Sequence, residues 1–298
     1  MKDRYHLSRK ESIFLAKQRW DESIYSGMRM ENRNVTFPET QTILNGINVA
    51  GVELSNIQAI LNMRDAWEYL LIHIDDTLSV SYLCKLQERV AHREALAEGE
   101  LRTGSIGISG VNYQPPVPDI LKAQVELSKL LEEPLCQTEI ALNVFTWITR
   151  SQLFWDGNKR TALLASNKIL VENGLGTILV PEEIMVEFST TLNAYYETGD
   201  SKPLKSLLYN SCIFGIDSGP SSFAEAFESQ RHSNTANIRT RNRRTPNWLK
   251  QARKNAGMTQ RELAQAINIS TSAIANIEQG QRKGSDEVWA KIERCLRI

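Results

Sequence analysis

The stretch SQLFWDGNKRTALLASNKIL, Ser151 to Leu170, holds the side chains whose types and spacing point to chemistry. Gly157 lets the backbone come close to a ligand, and the helix it opens points unpaired N–H groups outward. Asn158 offers an amide donor, and Lys159 and Arg160 add two positive charges on the first turn. Cations at a helix N-terminus oppose its dipole at about 0.3–1 kcal/mol each, so the placement makes sense if a polyphosphate neutralises them. Asp156 suits the magnesium such a ligand carries, because a carboxylate and phosphate oxygens match that hard cation. The same residues admit a plainer reading, in which Asp156 caps the helix and Lys159 and Arg160 are solvated.

The longer context, QLFWDGNKRTA, resembles the signature of the Fic/Doc family, HxFx(D/E)GN(G/K)R, with Phe154, Asp156, Gly157, Asn158, Lys159 and Arg160 in register. GELRTGSIGISGVNYQPP, from Gly99 to Pro116, resembles that family's flap hairpin. ENRNVTFPETQTIL, from Glu31 to Leu44, resembles the segment preceding the core in autoinhibited members. The resemblance covers most of residues 26–212. It implies a mainly α fold, a Fic-type helical bundle with a short β-hairpin flap, in which Asp156 meets the metal. Asn158 and the loop backbone, Gly157 included, would hold the phosphates, Lys159 would stand beside them, and Arg160 would take the polyphosphate. The implied cofactor is ATP with magnesium, and the implied protein target lies along the flap from Gly104 to Tyr113. Most members transfer AMP to a protein hydroxyl, whereas the Doc branch, with Lys at the position of Lys159, phosphorylates its target.

Two departures bear on activity. The family's motif histidine, which takes the proton from the attacking hydroxyl, corresponds to Gln152, and an amide accepts no proton near pH 7. General-base catalysis contributes roughly 10²- to 10⁴-fold, so no catalytic base is assigned and the chemistry is expected to be slow or absent. The family's second arginine falls at Leu163, which removes a phosphate clamp and the usual partner of an inhibitory glutamate. That glutamate aligns with Glu31 in SGMRMEN, where Gly27 stands in place of Ser or Thr; Glu31 is either a regulatory gate or a surface charge. Substitute bases are His73, His92 and Lys159, of which the histidines read more simply as ordinary helical side chains. Phe154 and Trp155 are expected to pack the loop.

The elements that must position these residues are helical. Leu54, Ile57, Leu61, Leu70, Leu71 and Ile74 recur on a helical period, and similar patterns run through Leu78–Val90, Ile120–Leu131 and Ile140–Ile148. The helix after the phosphate turn should stop at Asn173-Gly174, and the next should start with Pro181 at its first position and close near Gly199. ELRTGSIGISGVNYQPPVP alternates small and β-branched residues between glycines, and so predicts a short hairpin. Residues 1–215 form the Fic-like domain with an N-terminal helical extension, and 216–245, poor in large apolar residues, read as a flexible basic linker.

Residues 246–298 predict a small all-α domain. Trp248, Leu249 and Ala252 share one face of a first helix ended by Gly257. Thr259 and Glu262 form a capping box for a second helix with Leu263, Ala264 and Ile267 inward, and Ser270 caps a third, with Ile274 and Ile277 inward and Gly280 at its end. MTQRELAQAINIS and IEQGQR closely resemble elements of Cro/repressor-type helix-turn-helix domains. That resemblance implies double-stranded DNA as partner, with Thr271, Ser272 and Asn276 near base edges, Gln260 near a phosphate, and Arg282 and Lys283 along the backbone. Two copies on adjacent half-sites imply a homodimer. Arg239, Arg241, Arg243 and Arg244 either add counterion-release affinity or form a solvated spacer.

The 298 residues are 41% hydrophobic and 23% charged, enough for one large core and a small second domain. The net charge of zero hides an asymmetry: from Arg239 onward there are 13 Lys and Arg against 5 Asp and Glu, and before it 22 against 30. A polyanion is therefore expected at the C-terminus. No apolar run is long enough to span a membrane and the N-terminus is charged, so a cytoplasmic location is expected. Cys84, Cys136, Cys212 and Cys295 are far apart and read as reduced, mostly buried residues rather than zinc ligands or disulfides. The leading reading is a DNA-binding regulator whose body binds a nucleotide or partner and has weak or absent transferase activity. The alternatives are an active AMP-transferase or Doc-like kinase that autoregulates through DNA, and an interaction scaffold of toxin–antitoxin type.

Overall fold

The computed structural model describes residues 1–216, 249, 250, 253, 256, 258–279, 281, 285, 288, 289, 291, 292 and 295. The chain divides into two compact units, Met1–Asp217 and Ser218–Ile298. The linker expected at 216–245 lies almost wholly outside the described residues, as do Trp248, Ala252, Gly257, Gly280, Arg282 and Lys283.

The first unit is helical: α1 (Arg9–Met30), α2 (Phe37–Leu44), α3 (Leu54–Ile72), α4 (Val80–Val90), α5 (Ile120–Glu132), α6 (Gln137–Ser151), α7 (Asn158–Glu172), α8 (Met185–Thr198) and α9 (Lys202–Ser211). Its centre is α7, buried from Arg160 through Val171 and packed chiefly on α6 and α1. A helix apolar or small on most sides, as ALLASNKILV is, must be enclosed by other helices rather than laid on a surface, and its buried Asn167 and Lys168 are partnered by Leu163 O, Ile178 O and Glu172. Leu163, Leu164 and Leu170 there meet Trp67 and Leu70 of α3, Leu83 and Leu86 of α4, and Phe145 and Ile148 of α6 in one core. Leu163, where the family resemblance places a second arginine, is fully buried in that core.

Most expected boundaries agree with the structure. The α7 helix ends at Asn173 with Gly174 at φ 71°, and α8 closes on Gly199 at φ 75°. Pro181 does not open α8; it precedes a single 3₁₀ turn, Glu182–Ile184, from which α8 continues. In α3 the expected face agrees in part: Leu70 is buried, whereas Leu54 is exposed and Ile57, Leu61 and Leu71 are half-buried, and Ala59, Ile60, Met63, Ala66 and Trp67 join Leu70 in the core. Helix α1, the expected N-terminal helical extension, opens on a Ser8/Glu11 capping box, and its charged composition hides its buried face of Leu15, Ala16, Ile24 and Met28. Of the cysteines only Cys212 is buried; Cys84, Cys136 and Cys295 are half-buried, and all four are free.

The expected hairpin at 100–118 is not a ladder. Residues 101–119 are irregular, with a turn at Ser109–Gly110, and the strand pair found among the described residues is instead β1 (Thr177–Ile178) against β2 (Ile213–Phe214), antiparallel. Pro115 and Pro116 lack the N–H a ladder needs, and the segment is held from inside by Arg102 instead, as described below.

In the second unit α10 (Gln260–Ala266) and α11 (Thr271–Glu278) form the turn-linked helix pair. The Thr259/Glu262 capping box is present in full, Ser270 accepts from Ala273 N, and Asn268 turns the chain at φ 57°. Leu249, Leu263, Ala264, Ile267, Ile274 and Ile277 are buried, as expected, with Trp289 and Ile292 completing the core.

Candidate functional site

The loop Gln152–Gly157 joins α6 to α7, and both of its ends are left-handed. Gln152 caps α6 at φ 48°, and Gly157 caps α7 at φ 75°. Glycine is required at 157 on two counts: the positive φ, and a Cβ there would lie 2.9 Å from Val90 Cγ1. Gln87 Nε2 donates to Asp156 O at 3.1 Å, so α4 supports the loop from behind.

Asn158 is spent on the loop itself. Its Oδ1 accepts from Phe154 N at 2.9 Å, while its Nδ2 donates to Phe154 O at 2.8 Å and to Gln152 Oε1 at 3.1 Å. Gln152 Nε2 in turn donates to Thr149 O at 2.6 Å. The loop is therefore rigid through neutral amide bonds, and Phe154 is fully buried beneath it. Asp156 does not cap α7; Asp156 Oδ1 accepts from Gly157 N at 2.5 Å, and no side chain caps the helix. That leaves the first N–H groups of α7 without a side-chain acceptor, the arrangement that favours an anion.

Lys159 and Arg160 are not solvated. Lys159 Nζ donates to Met30 O at 2.5 Å and lies 3.1 Å from Glu31 Oε2. The Arg160 side chain is 0% exposed, with its Nη1 donating to Val90 O at 3.0 Å and to Glu94 Oε1 at 3.2 Å, and its Nη2 to Glu94 Oε2 at 3.2 Å. Glu31 Oε1 and Asp156 Oδ1 stand 3.8 and 3.6 Å from it. Burial alone would depress the Arg160 pKa, but Glu31, Glu94 and Asp156 hold it above the ordinary value, so the group is a fixed cation. The cations that the sequence assigns to a polyphosphate are thus already neutralised by carboxylates of the chain. Glu31 touches both of them and is not a free surface charge. Gly27 also has a reason here: a Cβ would meet Met63 Cε at 3.0 Å and Arg160 Cγ at 3.7 Å, so α1 approaches α7 closely at this point.

Each of the substitute bases has a carboxylate partner. Lys159 is paired, His73 Nδ1 lies 2.9 Å from Asp76, and His92 Nδ1 lies 2.9 Å from Glu98 in the turns after α4. Tyr196 borders Gln152, but burial pushes its phenol upward and it keeps its proton at neutral pH.

Three functional supports escaped the sequence reading. Arg102 is 1% exposed, and its Nε donates to Gln152 O at 2.6 Å, its Nη1 to Gly104 O at 2.5 Å, and its Nη2 to Pro115 O at 3.2 Å and Pro116 O at 2.5 Å. It binds both ends of the flap segment to the loop. Trp155 covers Gly104, where a Cβ would lie 2.7 Å from the indole. Glu94, from the turns beyond α4, is the second. The third is Arg253, which in the C-terminal unit donates to Glu278 Oε1 at 2.7 Å and Oε2 at 3.1 Å, both side chains buried. No local periodicity marks any of these, because each has a partner distant in sequence: Gln152 for Arg102, Arg160 for Glu94 and Glu278 for Arg253.

On α11 Thr271 and Ser272 are exposed on the first turn and Asn276 is half-buried one turn on. Gln260 Nε2 donates to Glu278 Oε2 at 2.7 Å, so its amide is oriented by the Arg253–Glu278 pair. Among the described residues no helix is long and apolar enough to cross a membrane, and no cluster of three His, Cys, Asp or Glu could hold a metal by itself.

Comparison with known proteins agrees with this geometry. The Fic/DOC family matches residues 77–170, and a helix-turn-helix family matches residues 249–298. The protein adenylyltransferase Fic of Nematostella vectensis is 24% identical over 197 residues, covering 63% of this chain and 45% of that protein. Protein adenylyltransferase fic-1 of Caenorhabditis elegans is 23% identical over 194 residues, covering 60% and 37%. The chain thus spans less than half the length of these curated relatives. Among solved structures, Fic-1 of C. elegans superposes with a TM-score of 0.56 at 19% identity, covering 65% of this chain and 62% of that one. A Fic domain containing signaling protein from Bacteroides thetaiotaomicron gives 0.56 at 17%, covering 68% and 85%. The chain carries a Fic/DOC-family domain followed by a C-terminal helix-turn-helix domain.

Proposed function

We propose that the protein is a DNA-binding regulator whose Fic-type body has little or no transferase activity. The observation that carries this reading is Gln152: the first side chain of the loop between α6 and α7 is an amide already bonded to Thr149 O and Asn158 Nδ2. An amide takes no proton from an attacking hydroxyl, and the neighbouring Tyr196 holds its own. The body retains an anion site in this reading. The uncapped start of α7 would face phosphate oxygens, and Asp156, 45% exposed, would hold magnesium jointly with them. One carboxylate is too few for an all-protein metal cage, which fits a metal that arrives with ATP. Bound magnesium would neutralise phosphate charge.

The helix-turn-helix unit supplies the DNA contacts in this account. Thr271 and Ser272, exposed at the start of α11, and Asn276 would reach base edges. Gln260, steered by Glu278, would meet a phosphate; Arg282 and Lys283 would follow the backbone. Such docking would place two copies, as a homodimer, on a two-fold site. Protein targets, if engaged, would lie along Gly104–Tyr113, which Arg102 holds against the loop. A gel shift against DNA upstream of the protein's own coding region tests the proposal. Binding that falls steeply with salt and is lost on Asn276→Ala supports it, and no retardation at low salt refutes it.

A further inference from the structure

Glu94 belongs to no motif of the sequence, yet it pairs with two guanidinium groups at the loop, those of Arg160 and Arg33. Its side chain is 10% exposed and receives both Nη groups of Arg160 at 3.2 Å, an Nη of Arg33, and Asn62 Nδ2 at 2.9 Å. Two parallel N–H···O bonds from one guanidinium to one carboxylate are the same fork that a phosphate takes. Arg160 Nε, by contrast, makes no hydrogen bond, and Glu31 stands 3.8 Å from it. Glu31 spends its closer contact on Lys159, at 3.1 Å.

We propose that Glu94 is an internal phosphate mimic: it occupies the guanidinium fork of Arg160, and a magnesium-bound polyphosphate gains that fork only by displacing it. The inference rests on the reading of the loop as an anion site. Arg33 extends the lock to the turn after α1, the same turn that brings Met30 O and Glu31 to Lys159. Two carboxylates therefore hold the cations of the loop, Glu31 on Lys159 and Glu94 on Arg160. The lock by Glu94 acts on the residue that is wholly shielded from solvent, so it is the stronger barrier to an incoming anion.

Calorimetric titration of the full chain with magnesium pyrophosphate tests this. Glu94→Gln should bind at least about tenfold tighter than wild type, the scale of one charge-assisted bond set free. Glu31→Gln should show a smaller gain, and Asp156→Ala in the Glu94→Gln background should reverse it, placing the anion at the loop. Because Glu94→Gln leaves a buried guanidinium without its carboxylate, Glu94→Asp serves as the second variant. It keeps the charge, withdraws it by one methylene, and should bind with intermediate affinity. Equal, measurable affinity in wild type and the Glu94 variants overturns the lock while leaving the anion site standing. Absence of binding in wild type, Glu94→Gln and Glu94→Asp alike overturns the anion site and the lock with it.

Discussion

Replacing Arg102 by Met removes one guanidinium while keeping most of its volume, and it isolates what holds the flap. All four of its hydrogen bonds run to backbone carbonyls, of Gln152, Gly104, Pro115 and Pro116. Burial lowers the Arg102 pKa from the ordinary arginine value, because a cation kept out of water loses hydration. Bonds from a charged donor contribute about 1.5–3 kcal/mol each, and desolvation of the guanidinium cancels much of the sum. A net loss of roughly 2–4 kcal/mol remains, concentrated on the flap because three of the four carbonyls belong to it. A loss of that size raises the local opening constant by about 30- to 1000-fold. Hydrogen exchange on the full chain should show peptides spanning 101–117 accelerated to that degree in Arg102→Met, with peptides from α6 and α7 nearly unchanged. Identical flap exchange in the two proteins, or equal acceleration everywhere, would refute the claim that Arg102 ties the flap to the loop.

Further outcomes follow from single contacts. Gly157→Ala forces a Cβ into a left-handed backbone and to within 2.9 Å of Val90, so the body should lose about 1–3 kcal/mol in denaturant titration. Ser270→Ala removes the acceptor for Ala273 N and should cost the helix-turn-helix unit about 1 kcal/mol and weaken DNA binding in a gel shift. In the same unit burial raises the Glu278 pKa, but bonds from Arg253 and Gln260 outweigh it and leave the carboxyl below its ordinary 4.5. The stability it contributes is present above that value and lost as pH falls through the depressed one. Glu278→Gln should therefore flatten the acid side of that unit's stability profile; an unchanged slope below pH 4.5 would show the pair to be idle.

What the sequence made legible was local. The capping box of Thr259 and Glu262, the Ser270 cap, and the stops at Gly174 and Gly199 depend on residues a few positions apart, and all are where expected. The loop DGNKR was legible for the same reason. What stayed hidden depends on chain separation: Glu94 meets Arg160 across 66 residues, Arg102 meets Gln152 across 50, and Arg253 meets Glu278 across 25. Hence the charges of Lys159 and Arg160 suggested an external anion when internal carboxylates already balance them. The flap misled in another way. Its small and β-branched alternation is that of a strand, but a strand needs a partner ladder, and a buried arginine bonding to carbonyls holds an irregular segment without one.

The most direct test of the account compares wild type with Gln152→His, each incubated as the full chain with magnesium and ATP labelled at either the α- or the γ-phosphate, followed by intact mass and label counting on the protein and on cell lysate. The account expects no adduct above background from wild type with either label, and measurable transfer from Gln152→His. Rapid, stoichiometric labelling by wild type would contradict it.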